Sequence, residues 1–323
     1  MNKEDYIDQK RSKVGSEDTL GNYQTGLNHF EKFLEEYNLT VDTLTTSNIH
    51  KLYSYFDNKD LAGSTVQQYL TVIQKYVREE ISEDISEEIA DFTFDTRSVT
   101  EAQLSTQTPI VTVDQYKQMV ENAKDLRAKL IVKLLWETGV RPKELANIQH
   151  ERDIDRDRKE ITINTAKIPI DSDRPRTRTV HYSVEMKSEL RDWLDYDGRK
   201  KYKQSAQSDY LLVTENSPKI SSNYINTIIL RTAERAGIKK EYSPHNSTKN
   251  QYFPNCRHFR NSFATYRAWK GIDLETLRQL MGHHDVSVTS RYIKEDSREQ
   301  AQKNETYRPK TYTDTSLELG KNI

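Results

Sequence analysis

Four short segments in the second two-thirds of this 323-residue chain combine arginine, lysine, histidine and tyrosine in ways that packing does not require. The first is Thr138-Gly139-Val140-Arg141-Pro142-Lys143-Glu144-Leu145. An arginine just after a helix-ending glycine sits on a turn at a helix boundary, and Glu144, three residues on, is close enough to orient its guanidinium. Held there, it can bind a phosphate through two parallel hydrogen bonds; a surface arginine in a helix–helix turn carries the same signature. The second is Lys167, placed to enter a DNA groove from a hairpin and give a proton to a leaving oxygen, or simply a solvated turn lysine. Arg174, Arg176 and Arg178, in the same hairpin, are candidate phosphate contacts. The third is Arg257-His258-Phe259-Arg260-Asn261-Ser262-Phe263-Ala264-Thr265, in which Arg257 and Arg260 share a helical face. The fourth is Leu280-Met281-Gly282-His283-His284-Asp285, followed by Thr289-Ser290-Arg291-Tyr292-Ile293. Its His-His-Asp run is set aside as a metal site, because adjacent histidines diverge on any regular backbone and no His-Glu-x-x-His motif accompanies it.

Taken together and in order, these segments resemble the tyrosine site-specific recombinases, the phage-integrase family, over about residues 15–295. The family's first arginine box, Thr-Gly-x-Arg-x-x-Glu-Leu, matches Thr138 to Leu145. Its hairpin lysine stands where Lys167 does. Its second box, His-x-x-Arg before a Phe-Ala-Thr run, matches 257–265 except at the first position, where Arg257 replaces histidine. The Phe-Ala-Thr register fixes Arg260 and hence Arg257, rather than the neighbouring His258. The third box, Leu-(Leu/Met)-Gly-His, matches 280–283, and the family's nucleophilic tyrosine follows that histidine by nine residues, at Tyr292.

The resemblance implies a mainly α fold with a small β-hairpin or sheet: a helical SAM-like core-binding domain (1–94), a linker (95–110), an α+β catalytic domain (111–294) and a tail (295–323) that docks on a neighbouring protomer. It implies that Tyr292 attacks a DNA phosphodiester, forming a 3′-phosphotyrosyl bond and releasing a 5′-hydroxyl. Arg141 and Arg260 stabilise charge on the non-bridging oxygens, Lys167 is the general acid, and His283 binds the phosphate or assists proton transfer. Arg257, charged at any working pH, becomes another phosphate clamp. The expected partner is double-stranded DNA at attachment or recombination sites, held by a tetramer in the synaptic complex, with no cofactor, metal, ATP or membrane. Integration and excision of a mobile element is the preferred role; resolution of chromosome or plasmid dimers is the second. A type IB topoisomerase uses similar chemistry on one strand, but the helical first domain and the His283–Tyr292 spacing favour the recombinase. Arg257 keeps open a DNA-binding regulator that has lost catalysis. A helical protein–protein adaptor would explain the acidic first part of the chain but not the four boxes.

The elements that must carry these residues are legible in the apolar spacing. Leu20, Tyr23, Leu27, Phe30 and Leu34 predict a helix over roughly 17–37; Ile49, Leu52 and Tyr55 predict a second. Ser64, with Gln67 three residues on, predicts a capped start for a third, striped by Val66, Leu70, Ile73 and Val77. A further short helix falls near 84–90. Residues 95–110 lack periodicity. Thr112 to Gln115 opens a new helical stretch, and the stripe of Leu126, Leu130, Leu134 and Leu135 stops at Gly139. Alternation at Ile161 and Ile163, then at Val180 and Tyr182, predicts a hairpin over 160–183. Helices follow near 184–195, 221–236, 259–270 and 273–281, with Gly237, Gly271 and Gly282 as stops. The first helix of the chain is expected to begin only after some 15 residues.

Composition sets the outer limits. No apolar run approaches the roughly 18 residues that span a bilayer, the N-terminus lacks a secretory leader, and one cysteine, Cys256, excludes a disulfide framework. A cytoplasmic, nucleoid-associated protein is expected. The net charge of −1 conceals an asymmetry: residues 1–100 hold 19 acidic and 10 basic residues (−9), and residues 101–323 hold 31 and 39 (+8). The basic part suits an anionic partner; the acidic part requires that the first domain segregate its bases on one face if it grips DNA.

Overall fold

A computed structural model describes residues 3–13, 17–59, 61, 63–91, 109–165, 177–242, 251–283, 285–290 and 292. Two compact units emerge, one of residues 1–107 with 241–251 and one of 108–240 with 252–323. No described helix is long and apolar enough to cross a membrane.

The first unit is helical: α1 (Lys3–Lys13), α2 (Glu17–Glu36), α3 (Ile49–Asp57), α4 (Gly63–Glu80) and α5 (Glu83–Asp91). The stripes read from the sequence are the ones buried: Leu20, Leu27, Phe30 and Leu34 of α2 meet Ile49, Leu52 and Tyr55 of α3 and Val66, Leu70, Ile73 and Val77 of α4 in one core. Two expectations are corrected. Helix α4 begins at Gly63, so Ser64 lies inside its first turn rather than capping it. Helix α1 was not anticipated, because its eleven residues carry no apolar period. It is held by a few contacts instead. Tyr6 meets Tyr76 edge-on at 5.0 Å and tilts over Tyr23 at 6.4 Å, and Lys10 Nζ donates to Glu79 Oε1 at 2.8 Å.

The second unit opens with α6 (Val113–Glu121), α7 (Leu126–Thr138), α8 (Pro142–Asn147) and α9 (His150–Asp153). Thr112 and Gln115 form the reciprocal capping box that starts α6. The leucine stripe of α7 is buried at Leu130, Leu134 and Leu135. A three-stranded antiparallel sheet follows, ordered β1 (Ile154–Asp155), β2 (Glu160–Asn164) and β3 (Thr177–His181). Ile161 faces Val180 across the β2–β3 ladder and Ile163 faces Arg178. Opposed residues of an antiparallel pair share one face of the sheet, so Arg178 lies on the buried face with Ile161, Ile163 and Val180. The hairpin tip, with Lys167, Arg174 and Arg176, lies outside the described residues.

The rest is α10 (Val184–Leu194), α11 (Asp197–Lys200), α12 (Ser222–Arg235), the two-stranded pair β4 (Lys240–Tyr242) and β5 (Gln251–Phe253), α13 (Cys256–Trp269), α14 (Leu274–Met281) and α15 (Val286–Ser290). Helix α13 starts three residues earlier than the spacing indicated, at the Asn255 cap, so it carries both Arg257 and Arg260. The β4–β5 pair and α11 are too brief to leave a period.

Candidate active site

The geometry is built on two glycine turns. Gly139 ends α7 at φ +61°, and a Cβ there would lie 2.5 Å from ring atoms of Phe263. Only glycine tolerates both conditions, which brings the turn into contact with α13. Arg141 caps α8 two residues later. Its backbone N–H donates to Glu144 Oε2 at 2.9 Å and its Nη1 to Glu144 Oε1 at 2.8 Å. The expected role of Glu144 in orienting Arg141 is thus met by two hydrogen bonds, both donated by Arg141 to its carboxylate. Gly282 ends α14 at φ +61° and delivers the chain to His283.

Arg260 joins the two turns. Buried in α13, it donates from Nη1 to the Gly139 carbonyl at 2.7 Å and from Nη2 to the Met281 carbonyl. Burial pulls its pKa down to about 9, with Arg141 the next cause and Glu144 acting the other way; the guanidinium stays charged at neutral pH. His283 is buried, with Nδ1 2.9 Å from the Thr289 hydroxyl, and its ring stacks on that of Tyr292 at 6.2 Å and 14°. The Tyr292 ring also packs against the cluster of Phe263, Ala264, Ala268, Leu277 and Met281. Its hydroxyl donates to Asn261 Oδ1 at 3.1 Å.

Glu144 lies between two arginines. Arg178 donates to it from Nη2 at 2.7 Å and from Nη1 at 3.1 Å, opposite Arg141. Burial works to raise its carboxyl pKa, but the hydrogen bonds and charge of Arg178, then of Arg141, outweigh it and hold the pKa at about 2. Arg141, Arg178 and Arg260 against one carboxylate leave a surplus of positive charge, an environment that calls for an anion. Among the described residues no cluster of His, Cys, Asp or Glu has the form of a metal site.

Of the residues singled out in the sequence, Arg141, Arg260, His283 and Tyr292 are drawn together by these turns and by α13. Arg257 is one turn from Arg260 but exposed. His258 points the other way: it is buried, accepts from the Asn255 N–H at 3.0 Å as part of the α13 cap, and meets Phe253 edge-on. Burial, then the charge of Arg257, lowers its pKa to about 4. Arg178 departs from its expected role as a phosphate contact, because Nε, Nη1 and Nη2 each donate inside the protein and its side chain is 8% exposed. Its alternation with buried Val180 was the available signal. Asn261 and Thr289, the partners of Tyr292 and His283, were not singled out. Both lie within the boxes, but residue type and spacing alone do not separate them from packing residues.

Residues 109–299 match the Phage integrase family, and residues 3–93 match the Phage integrase SAM-like domain. The chain belongs to the phage integrase family; it is a tyrosine recombinase, an enzyme that cleaves and rejoins DNA strands. Tyrosine recombinase XerC of Staphylococcus epidermidis is 25% identical over 279 residues, 86% of each chain. Among solved structures, the XerH site-specific recombinase bound to a palindromic difH substrate superposes with a TM-score of 0.64 at 16% identity, over 90% of this chain and 80% of that one. The Tn1549 transposon integrase, in complex with transposon right end DNA, superposes with a TM-score of 0.62 at 15% identity, over 93% and 97%.

Proposed function

We propose that the chain integrates and excises a mobile element by site-specific recombination, with Tyr292 as the nucleophile. The observation that carries this reading is the convergence of Arg141, Arg260, His283 and Tyr292 around two glycine turns with surplus positive charge. The phenolic oxygen attacks phosphorus, the bond to the 5′-oxygen breaks, and the DNA 3′ end is left as a phosphotyrosyl ester. Arg141 keeps Nε and Nη2 for the phosphate while Nη1 is held by Glu144. Arg260 stabilises the charge that grows on the non-bridging oxygens. Lys167 gives the leaving 5′-oxygen its proton, His283 assists at the phosphate, and Arg257 adds an outer cation. Because the ester conserves the energy of the broken bond, attack by a partner strand's 5′-hydroxyl rejoins DNA without ATP.

Double-stranded DNA is the substrate and four protomers form the synaptic complex. In this reading residues 1–94 grip DNA, 95–110 link the domains, 111–294 cut, and 295–323 dock on a neighbour. The polar tail and the unusual Arg257 favour a mobile element, as does likeness to a transposon integrase. Dimer resolution is the second reading, favoured by likeness to XerC along 86% of both chains.

The chemistry is tested on negatively supercoiled plasmid without metal or ATP, quenched with detergent. Relaxation and a covalent protein–DNA adduct are expected, and both vanish in Tyr292→Phe; an adduct that survives the substitution would move the nucleophile elsewhere. Sequencing DNA trapped on the protein in cells separates the roles: element junctions support integration, a single chromosomal locus supports resolution.

A further inference from the structure

One buried guanidinium touches three segments that lead to candidate catalytic groups. Arg178 on β3 forks onto Glu144 at 2.7 and 3.1 Å, and Glu144 holds Arg141. Its Nη1 also donates to Thr165 Oγ1 at 3.2 Å, at the end of β2 and two residues before Lys167 in the chain. Its Nε donates to the Leu280 carbonyl at 2.8 Å, in the last turn before His283. It lies against Gly282, where a Cβ would stand 2.9 Å from Nη1 and 3.2 Å from Cδ and Cζ.

We propose that Arg178 is a positioning residue that sets Arg141, the Thr165 end of β2 and the His283 turn against one another. This rests on the recombinase reading and goes beyond it, because the residue acts through Glu144, Thr165 and the Leu280 turn. A fork of fixed angles suits such a brace. It fixes direction and distance to three segments at once, whereas an ammonium is a point charge on a flexible stem. A carboxylate as deeply buried as Glu144 is charged only while its cations stay close. With the two-pronged fork replaced by a single ammonium that cannot serve both carboxylate oxygens in the same directions, its pKa rises, and below that pKa Arg141 loses its anchor.

The test uses the full chain and supercoiled plasmid, following adduct formation from about pH 5 to about pH 8 for the parent, Arg178→Lys, Glu144→Gln and the double variant. Affinity for a short non-specific duplex is measured across a salt series. Arg178→Lys is expected to slow adduct formation about ten-fold or more near neutral pH and to add an acid limb absent from the parent. The limb disappears in the double variant, and duplex affinity keeps its parental salt slope. Thr165→Val, which leaves the fork in place, slows the reaction about three-fold with unchanged melting. Adduct formation at the parental rate in Arg178→Lys overturns the proposal. So does a salt slope reduced by about one in Arg178→Gln, which removes the charge; that reduction is the mark of a direct phosphate contact. An adduct that survives Tyr292→Phe counts against the recombinase reading; a Tyr292-dependent adduct indifferent to Arg178→Lys counts against the brace alone.

Discussion

The hydroxyl of Tyr292 donates a 3.1 Å hydrogen bond to Oδ1 of Asn261, the residue that follows Arg260 on α13. With the His283 ring stacked beside it, the phenol is held at both its face and its tip. A carbonyl oxygen suits a neutral phenol. Rotation of the Asn261 amide about its last bond brings Nδ2–H to the same place and suits a phenolate. Asn261→Asp removes that second option and sets a negative charge against the oxygen that must lose its proton. Adduct formation near neutral pH is expected to fall at least about ten-fold and its rate–pH profile to move to more alkaline pH. A parental profile in this variant would mean that the hydrogen bond only aids packing.

Arg260 and Arg141 differ in what lysine can replace. Arg260 spends two donors on the Gly139 and Met281 carbonyls before a phosphate arrives. A lysine has three donors on one nitrogen and cannot reach two carbonyls and a phosphate in the same directions. Arg260→Lys is therefore expected to lower adduct formation by about a hundred-fold or more and to melt at a lower temperature. Arg141 has one donor committed to Glu144 and is partly exposed, so Arg141→Lys slows the reaction comparably with little change in melting. Equal melting losses in the two variants would show that Arg260 does not brace the turns.

Much of this was legible because local and global signals agree. The stripes at Leu20–Leu34 and Leu130–Leu135 are core in the structure, and Gly139, Gly237, Gly271 and Gly282 all adopt positive φ. What was missed follows from contacts that leave no period. Helix α1 docks through Tyr6, Ile7 and Lys10 rather than through a stripe. Arg178 was read by residue type, as a basic group in a polar turn, although its place two residues before Val180 puts it on the inner face of β3. Asn261 and Thr289 matter through single hydrogen bonds that depend on how α13 and α15 approach His283 and Tyr292, and sequence spacing does not encode that approach.

Gly139 tests the first turn by stability. Alanine there must adopt φ +61° and place its Cβ within 2.5 Å of the Phe263 ring. The left-handed backbone and the overlap together cost about 2–4 kcal/mol. Urea denaturation of Gly139→Ala should show a loss of that size, and Phe263→Leu in the same background should recover part of it by removing the ring. A loss below about 0.5 kcal/mol would mean that the turn yields easily.

His258 gives the stability of the second unit its expected acid dependence. Its pKa falls from an unfolded value of about 6.5 to about 4 in the fold, by burial and by the charge of Arg257. Between these two values the unfolded chain binds a proton that the folded chain does not, so stability rises with pH across the interval. The contribution is complete above the unfolded pKa and is lost as the pH falls toward about 4, for a total of about 3 kcal/mol. Glu144, held at about 2, adds a second loss at lower pH, below the ordinary carboxylate range. Glutamine at position 258 keeps a side chain able to close the Asn255 capping box but does not titrate. Urea unfolding at about pH 7.5 and about pH 5 should therefore show a parent that loses stability and a His258→Gln variant that loses much less. Equal losses would assign the acid sensitivity to other groups, His29 and His150 among them, whose pKa values burial also lowers.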